Sequence, residues 1–134
     1  MTDLQKAYLD RATRALASAR LDVEAEDGDA ATNRAYYACF YVAQAALAGE
    51  SETPKTHSGT HRQFAARFVA TGAVSRDIGR VLPDAFRLRL QSDYDAFAVT
   101  DTAAAADLLA DAERFVAVVR ALVDGSEKGA DAVP

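Results

Sequence analysis

The chain has 134 residues, half of them hydrophobic, with a net charge of −5, one cysteine and no tryptophan. That length predicts one domain able to bury a core without metals or disulfides. No stretch of about 18 apolar residues exists for a membrane span, and the acidic balance argues against a protein that coats nucleic acid without specificity. The N-terminal stretch MTDLQKAYLDRATRAL is mixed in charge and lacks the apolar centre of a secretory signal, and Cys39 has no partner for an internal disulfide. These features together predict a cytoplasmic protein.

Taken in order, residues 3–24 repeat Leu4, Ala7, Tyr8, Ala12, Ala15, Leu16, Ala19 and Val23 at helical spacing, with Thr2 or Asp3 as cap. The run Glu24–Asp29 is the turn, with Gly28 as the break and Asp29 as the next cap. So short a connection predicts two antiparallel helices. The stretch Asp29–Ala48 holds no Gly or Pro and is apolar most of the way round, so it belongs at the centre of a bundle. Its polar side chains, Asn33, Arg34, Tyr37, Tyr41 and Gln44, fall within roughly a third of the circumference at about 100° per residue. Such a stripe is either an internal hydrogen-bond network that sets helix packing or the wall of a functional groove. Cys39, inside the apolar segment, reads as a small buried hydrophobe.

The polar stretch Glu50–His61 predicts a loop that carries both histidines, His57 and His61. Their spacing suits metal ligation, but no third ligand accompanies them, so no metal and no cofactor are expected. A helix follows from about Thr60 to Val69, ending at Thr71-Gly72. Ser75 caps the next, where Pro83 either kinks the helix or opens a new one in its first turn. Phe86, Leu90 and Phe97 make its apolar stripe, with Tyr94 beside them. Residues 100–102 cap a last helix, in which Leu108, Leu109, Ala112, Phe115, Val116, Val119 and Leu122 recur until Gly125 closes it. No strand pattern and no repeat appear. The prediction is an all-α bundle of about five helices over residues 1–124, followed by a flexible tail at 125–134.

Charge is segregated along this chain. From Lys55 to Arg89 there are seven basic residues against two acidic ones, a net +5 that leaves −10 for the remainder. Six of the seven are arginines, suited to forked contacts with phosphate or carboxylate. The densest chemistry lies in RLRLQSDYD, where Arg87, Arg89, Asp93 and Tyr94 share one helix. Arg89 and Asp93 are one turn apart, the spacing of an ordinary surface ion pair. The same residues could also act on RNA: an Arg stabilises phosphate charge, Asp or Tyr polarises a ribose hydroxyl, and Tyr stacks on a base.

The first helix with its acidic turn, NRAYYACFYVAQAAL, KTHSGTH and RLRLQSDYD together resemble the HEPN domains over about residues 3–122. The likeness is to the small stand-alone branch found beside minimal nucleotidyltransferases. The resemblance implies an up-and-down bundle that forms a homodimer, with the arginine-bearing helices facing a shared cleft. Nuclease members carry Arg, four to six residues, then His, and cleave RNA without metal. Several are toxins silenced when the nucleotidyltransferase adenylylates a nearby Tyr. Carried onto this chain, the resemblance makes Arg87 and Asp93 the catalytic positions. It makes Asn33, Arg34, Tyr37, His57, Arg89 and Tyr94 binding residues for RNA or a nucleotide. The chain departs from the pattern at Asp93, which stands where nuclease members have His. A carboxylate serves as a base, but it is a poor acid for a leaving alkoxide and repels phosphate. Two functions follow: an RNA- or nucleotide-binding component of a toxin–antitoxin-like module with metal-independent ribonuclease activity, or a catalytically inactive dimer that serves the nucleotidyltransferase as partner.

Overall fold

The computed structural model describes residues 1–49, 53–97 and 99–131, the last six of these as backbone only. Glu50–Glu52 of the predicted loop and residues 132–134 of the predicted tail lie outside the described residues. The described residues contain helices and no strands: α1 (Asp3–Glu24), α2 (Gly28–Ala48), α3 (His57–Phe64), α4 (Arg76–Gly79), α5 (Val81–Tyr94) and α6 (Thr102–Asp131). A π-helical turn, Ala65–Val69, continues α3. With α4 a single turn, five helices of substance make the all-α bundle.

Local signals account for most of the ends. Thr2 and Gln5 form a reciprocal capping box at α1: the Thr2 N–H donates to Gln5 Oε1 at 3.0 Å and the Gln5 N–H to Thr2 Oγ1 at 3.1 Å. Ser75 caps α4 through the Ile78 N–H, and Pro83 sits in the first turn of α5, where its missing N–H costs nothing.

Five expectations are corrected. Asp27, not Asp29, caps α2, and Gly28 is not a break but the first residue of α2, the left-handed residue of the turn being Glu26 (φ 59°). Thr56 starts α3 at His57, three residues before the predicted start at Thr60, because its hydroxyl accepts the Gly59 N–H at 2.9 Å. Phe97 lies beyond the end of α5 and is 98% exposed, so it is not part of that helix's stripe. Finally, α6 runs past Gly125 to Asp131.

Helix α2 is the axis of the bundle and packs chiefly against α1, then α6 and α5. Ala12, Ala15 and Ala19 of α1 and Ala31, Ala35, Ala38 and Ala43 of α2 are all buried, and small side chains let these backbones approach closely. Larger groups fill the far side of the core, where Phe64 packs on Phe115 at 5.5 Å between ring centroids. Each such fully buried ring contributes about 1.5–3 kcal/mol.

One polar tie fixes α5 to α2. Asp29 Oδ1 accepts the Ser92 hydroxyl at 2.6 Å and the Thr100 N–H at 3.0 Å, joining the start of α2 to the end of α5 and the approach to α6. The Ser92 bond first, then Thr100, holds the Asp29 carboxyl below its usual range. Gly28 lies buried beside this tie, and a Cβ there would collide with the Thr100 carbonyl oxygen.

Candidate functional site

The polar stripe of α2 divides. Gln44 is buried, whereas Asn33, Arg34, Tyr37 and Tyr41 are half-buried along one edge of the helix. Cations from neighbouring helices meet the aromatic members of that edge. Arg89 of α5 lies over Tyr37 at 5.2 Å and over Tyr36 at 5.7 Å. Arg34 lies over Tyr37 at 5.1 Å, and Arg11 of α1 over Tyr41 at 5.6 Å. Arginines and tyrosines thus alternate in a row that crosses α1, α2 and α5. Cation–π contacts of this kind contribute about 0.5–1 kcal/mol each where exposed.

Two of the three arginines in the row, Arg34 and Arg89, are aimed by a second group. Arg34 donates from Nε at 3.0 Å and from Nη2 at 2.8 Å to Asn33 Oδ1, which keeps its charge uncompensated. Arg89 donates from Nε to Asp93 Oδ2 at 3.1 Å, one turn further along α5. Arg89 is the more enclosed partner, its side chain 19% exposed against 40% for Asp93. The i, i+4 pair predicted from sequence is therefore present, and it orients a guanidinium toward the tyrosines.

The histidines enter from α3, which the Thr56 cap turns back across α2. Tyr36, buried in the centre, places its hydroxyl 2.6 Å from His57 Nδ1 and 2.9 Å from His61 Nε2. The His57 ring stacks on Phe40 at 4.4 Å and 17°, and on Phe86 at 5.7 Å and 23°. Burial first, then the charge of Arg89, pushes His57 below the usual imidazole range. Burial pushes His61 down to about 4, with His57 adding to it. Both rings are thus neutral at pH 7. Burial likewise raises the Tyr36 hydroxyl well above the phenol range, so it stays protonated.

The residues predicted from sequence are thus partly gathered and partly dispersed. Asn33, Arg34, Tyr37, His57, Arg89 and Asp93 stand around the aromatic row. Arg87 does not: it projects to another side of α5, pairs with Asp84 at 3.3 Å, and lines a depression with Asp107 and Asp111 of α6. Six residues along a helix is about 240° of rotation, so Arg87 and Asp93 cannot share a face, whereas Arg89 and Asp93 do. Tyr94 is 82% exposed, in a depression with Leu88, Phe97 and Val99 away from the histidines. Arg11, Tyr36 and His61 were missed. The i, i+4 spacing of the histidines carried a signal for His61, but nothing in the sequence tied either ring to Tyr36. Among the described residues no group of three or more His, Cys, Asp or Glu side chains could hold a metal ion, and no helix is long and apolar enough to cross a membrane.

The fold and this seam define an all-α bundle whose central helix presents a cation–aromatic edge to two neighbours. The model of the HEPN domain matches residues 5–122, and the chain belongs to that family. Among its relatives, a UPF0332 protein of Gloeobacter violaceus is 39% identical over 70% of this chain and 75% of its own length. A Methanocaldococcus jannaschii protein named "Putative toxin" is 32% identical over 83% of this chain and 82% of its own. A UPF0332 protein of Thermotoga maritima is 31% identical over 85% of this chain and 86% of its own.

Proposed function

We propose that this HEPN protein binds single-stranded RNA or a nucleotide along the Arg11–Tyr41 and Arg34–Tyr37–Arg89 row, as a component of a toxin–antitoxin-like module with a nucleotidyltransferase partner. The observation that carries the reading is the convergence of Arg34 and Arg89, from two helices, on the single ring of Tyr37. Guanidiniums set beside aromatic faces are what single-stranded nucleic acid requires, because the cations meet phosphates while the rings stack on bases. The toxin naming of the archaeal relative and the family's association with nucleotidyltransferases agree with it. The exposed cluster of Leu88, Tyr94, Phe97 and Val99 is the face this reading gives to a second copy of the chain. Tyr94 on that face is 82% exposed in the single chain, so nucleotidyl transfer to its hydroxyl and association of two copies there exclude one another.

A second reading, a non-cleaving partner of the nucleotidyltransferase, is favoured by the engagement of Asp93 with Arg89. An ion-paired carboxylate orients a cation and has no proton for a leaving group. The two are separated by incubating the protein with labelled RNA in EDTA and recording both binding and cleavage, for wild type, Arg34→Ala, Arg89→Ala and Arg87→Ala. Binding lost in the first two variants and kept in the third supports the row as the site. Cleavage lost only on Arg87→Ala would return the site to the sequence-based assignment. A wild-type protein that neither binds nor cleaves RNA leaves the partner role.

A further inference from the structure

The Tyr36 hydroxyl has one proton and two imidazole neighbours. It can donate to only one of them, so the other ring must donate to it. The two contacts differ in length: 2.6 Å to His57 Nδ1 and 2.9 Å to His61 Nε2. A hydroxyl donor makes the shorter bond and a ring N–H the longer. The pattern is therefore His61 Nε2–H to Tyr36 Oη, and Tyr36 Oη–H to His57 Nδ1. The near-parallel rings of Phe40 and Phe86 hold the plane of His57, and turning the ring over would put a C–H against Tyr36. No buried side-chain nitrogen or oxygen among the described residues lacks a partner, so one continuous direction runs through the triad, and the two bond lengths choose this one. It leaves the proton of His57 on Nε2, and no hydrogen bond to a described residue engages that atom.

We infer that Tyr36 and His61 are positioning residues that lock His57 as its Nε2–H tautomer, so that His57 is a neutral hydrogen-bond donor to an anionic phosphate oxygen of the bound nucleotide. The inference rests on the nucleotide-binding reading above and deepens it. The groups offered to phosphate then all donate: the guanidiniums of Arg34 and Arg89 carry the charge, and His57 adds a donor without adding charge beside Arg89. A His57 with its lone pair on Nε2 would be a general base instead, and would face a phosphate oxygen as acceptor against acceptor. The neutrality of both rings at pH 7 agrees with donation.

The test is imidazole nitrogen NMR on protein labelled with 15N-histidine, at pH 7, beside binding of a single-stranded RNA dodecamer. The expected spectrum shows the proton on Nε2 of both His57 and His61, and Tyr36→Phe, which keeps the ring and its packing, gives mixed tautomers. His57→Leu should weaken the dodecamer about tenfold, the loss of one hydrogen bond to a charged group, and Tyr36→Phe about twofold, because mixed tautomers leave only part of the rings competent. His57→Gln, whose amide N–H reaches the position of Nε2, should stay within about threefold of wild type. A proton on Nδ1 of His57 with RNA still bound overturns the lock and leaves the RNA reading standing. The expected tautomer with no RNA binding by wild type overturns the donor role together with that reading. Equal affinities for His57→Gln and His57→Leu overturn the donor role alone.

Discussion

Arg89 on α5 lies over the ring of Tyr37 on α2, its guanidinium carbon 5.2 Å from the ring centroid, and the 3.1 Å ion pair to Asp93 keeps it there. Arg87, two residues away, is turned to another face and paired with Asp84. Arg89→Ala should therefore weaken single-stranded RNA about tenfold and lower the slope of log affinity against log salt by about 0.7, one phosphate contact. Arg87→Ala should change neither appreciably. Fluorescence anisotropy titrations at three salt concentrations decide it, and equal losses in the two variants would sink the assignment to Arg89.

The turn between α1 and α2 makes two opposite predictions for glycine. Glu26 adopts φ 59°, a conformation that costs a residue with a Cβ about 1 kcal/mol, so Glu26→Gly should stabilise by about that amount. Gly28 has no positive φ but lies against the Thr100 carbonyl. Gly28→Ala should destabilise by about 2 kcal/mol or more, because it pushes α2 from the α5–α6 junction held by Asp29. Urea midpoints of the two variants measure both; a neutral Gly28→Ala would show that the junction yields.

Acid should weaken the fold before the carboxylates titrate. His61 stays neutral down to about 4 when folded, whereas an unfolded imidazole takes up its proton near 6.5. The folded value is the lower one, so this contribution is complete above about pH 6.5 and is lost as pH falls toward 4. Its size is about 1–2 kcal/mol, allowing for solvent screening of a half-exposed ring. His57 acts in the same direction, and Asp29 acts lower, below about pH 4. Urea unfolding between pH 7 and 4.5 should show the loss, and His61→Gln should flatten it. A profile unchanged by that substitution would place the pH dependence elsewhere.

Cys39 is fully buried in the middle of α2, where burial raises its thiol far above the usual range. The thiolate is the reactive form, so a thiol reagent should label Cys39 only as fast as the protein opens. Labelling of the native protein at the rate of a free thiol would contradict this burial. Cys39→Ala should leave RNA binding intact and cost about 1 kcal/mol for the small cavity.

Helix periodicity was enough to read α1, α2 and most of α6 in the sequence, because burying one face against α2 imposes a pattern visible within a few turns. The break at Pro83 and the caps at Thr2 and Ser75 are equally local, since each satisfies backbone groups within three residues. The charge and spacing of Arg89 and Asp93 were legible for the same reason. What the sequence could not show was which face of α5 the bundle would use. Arg87 and Arg89 are alike in type, and only the packing of α5 on α2, set by Ser92 and Thr100 on Asp29, turns one toward Tyr37 and the other away. The start of α3 was hidden as well, since a polar stretch with Pro54 and Gly59 looks like loop until Thr56 caps it. The meeting of Tyr36 with His57 and His61 spans more than 20 residues. One-dimensional pattern carries the secondary structure because those interactions are short in sequence. The cation–aromatic row and its histidines come from side chains on four helices, α1, α2, α3 and α5, so only the tertiary structure could decide which of them meet.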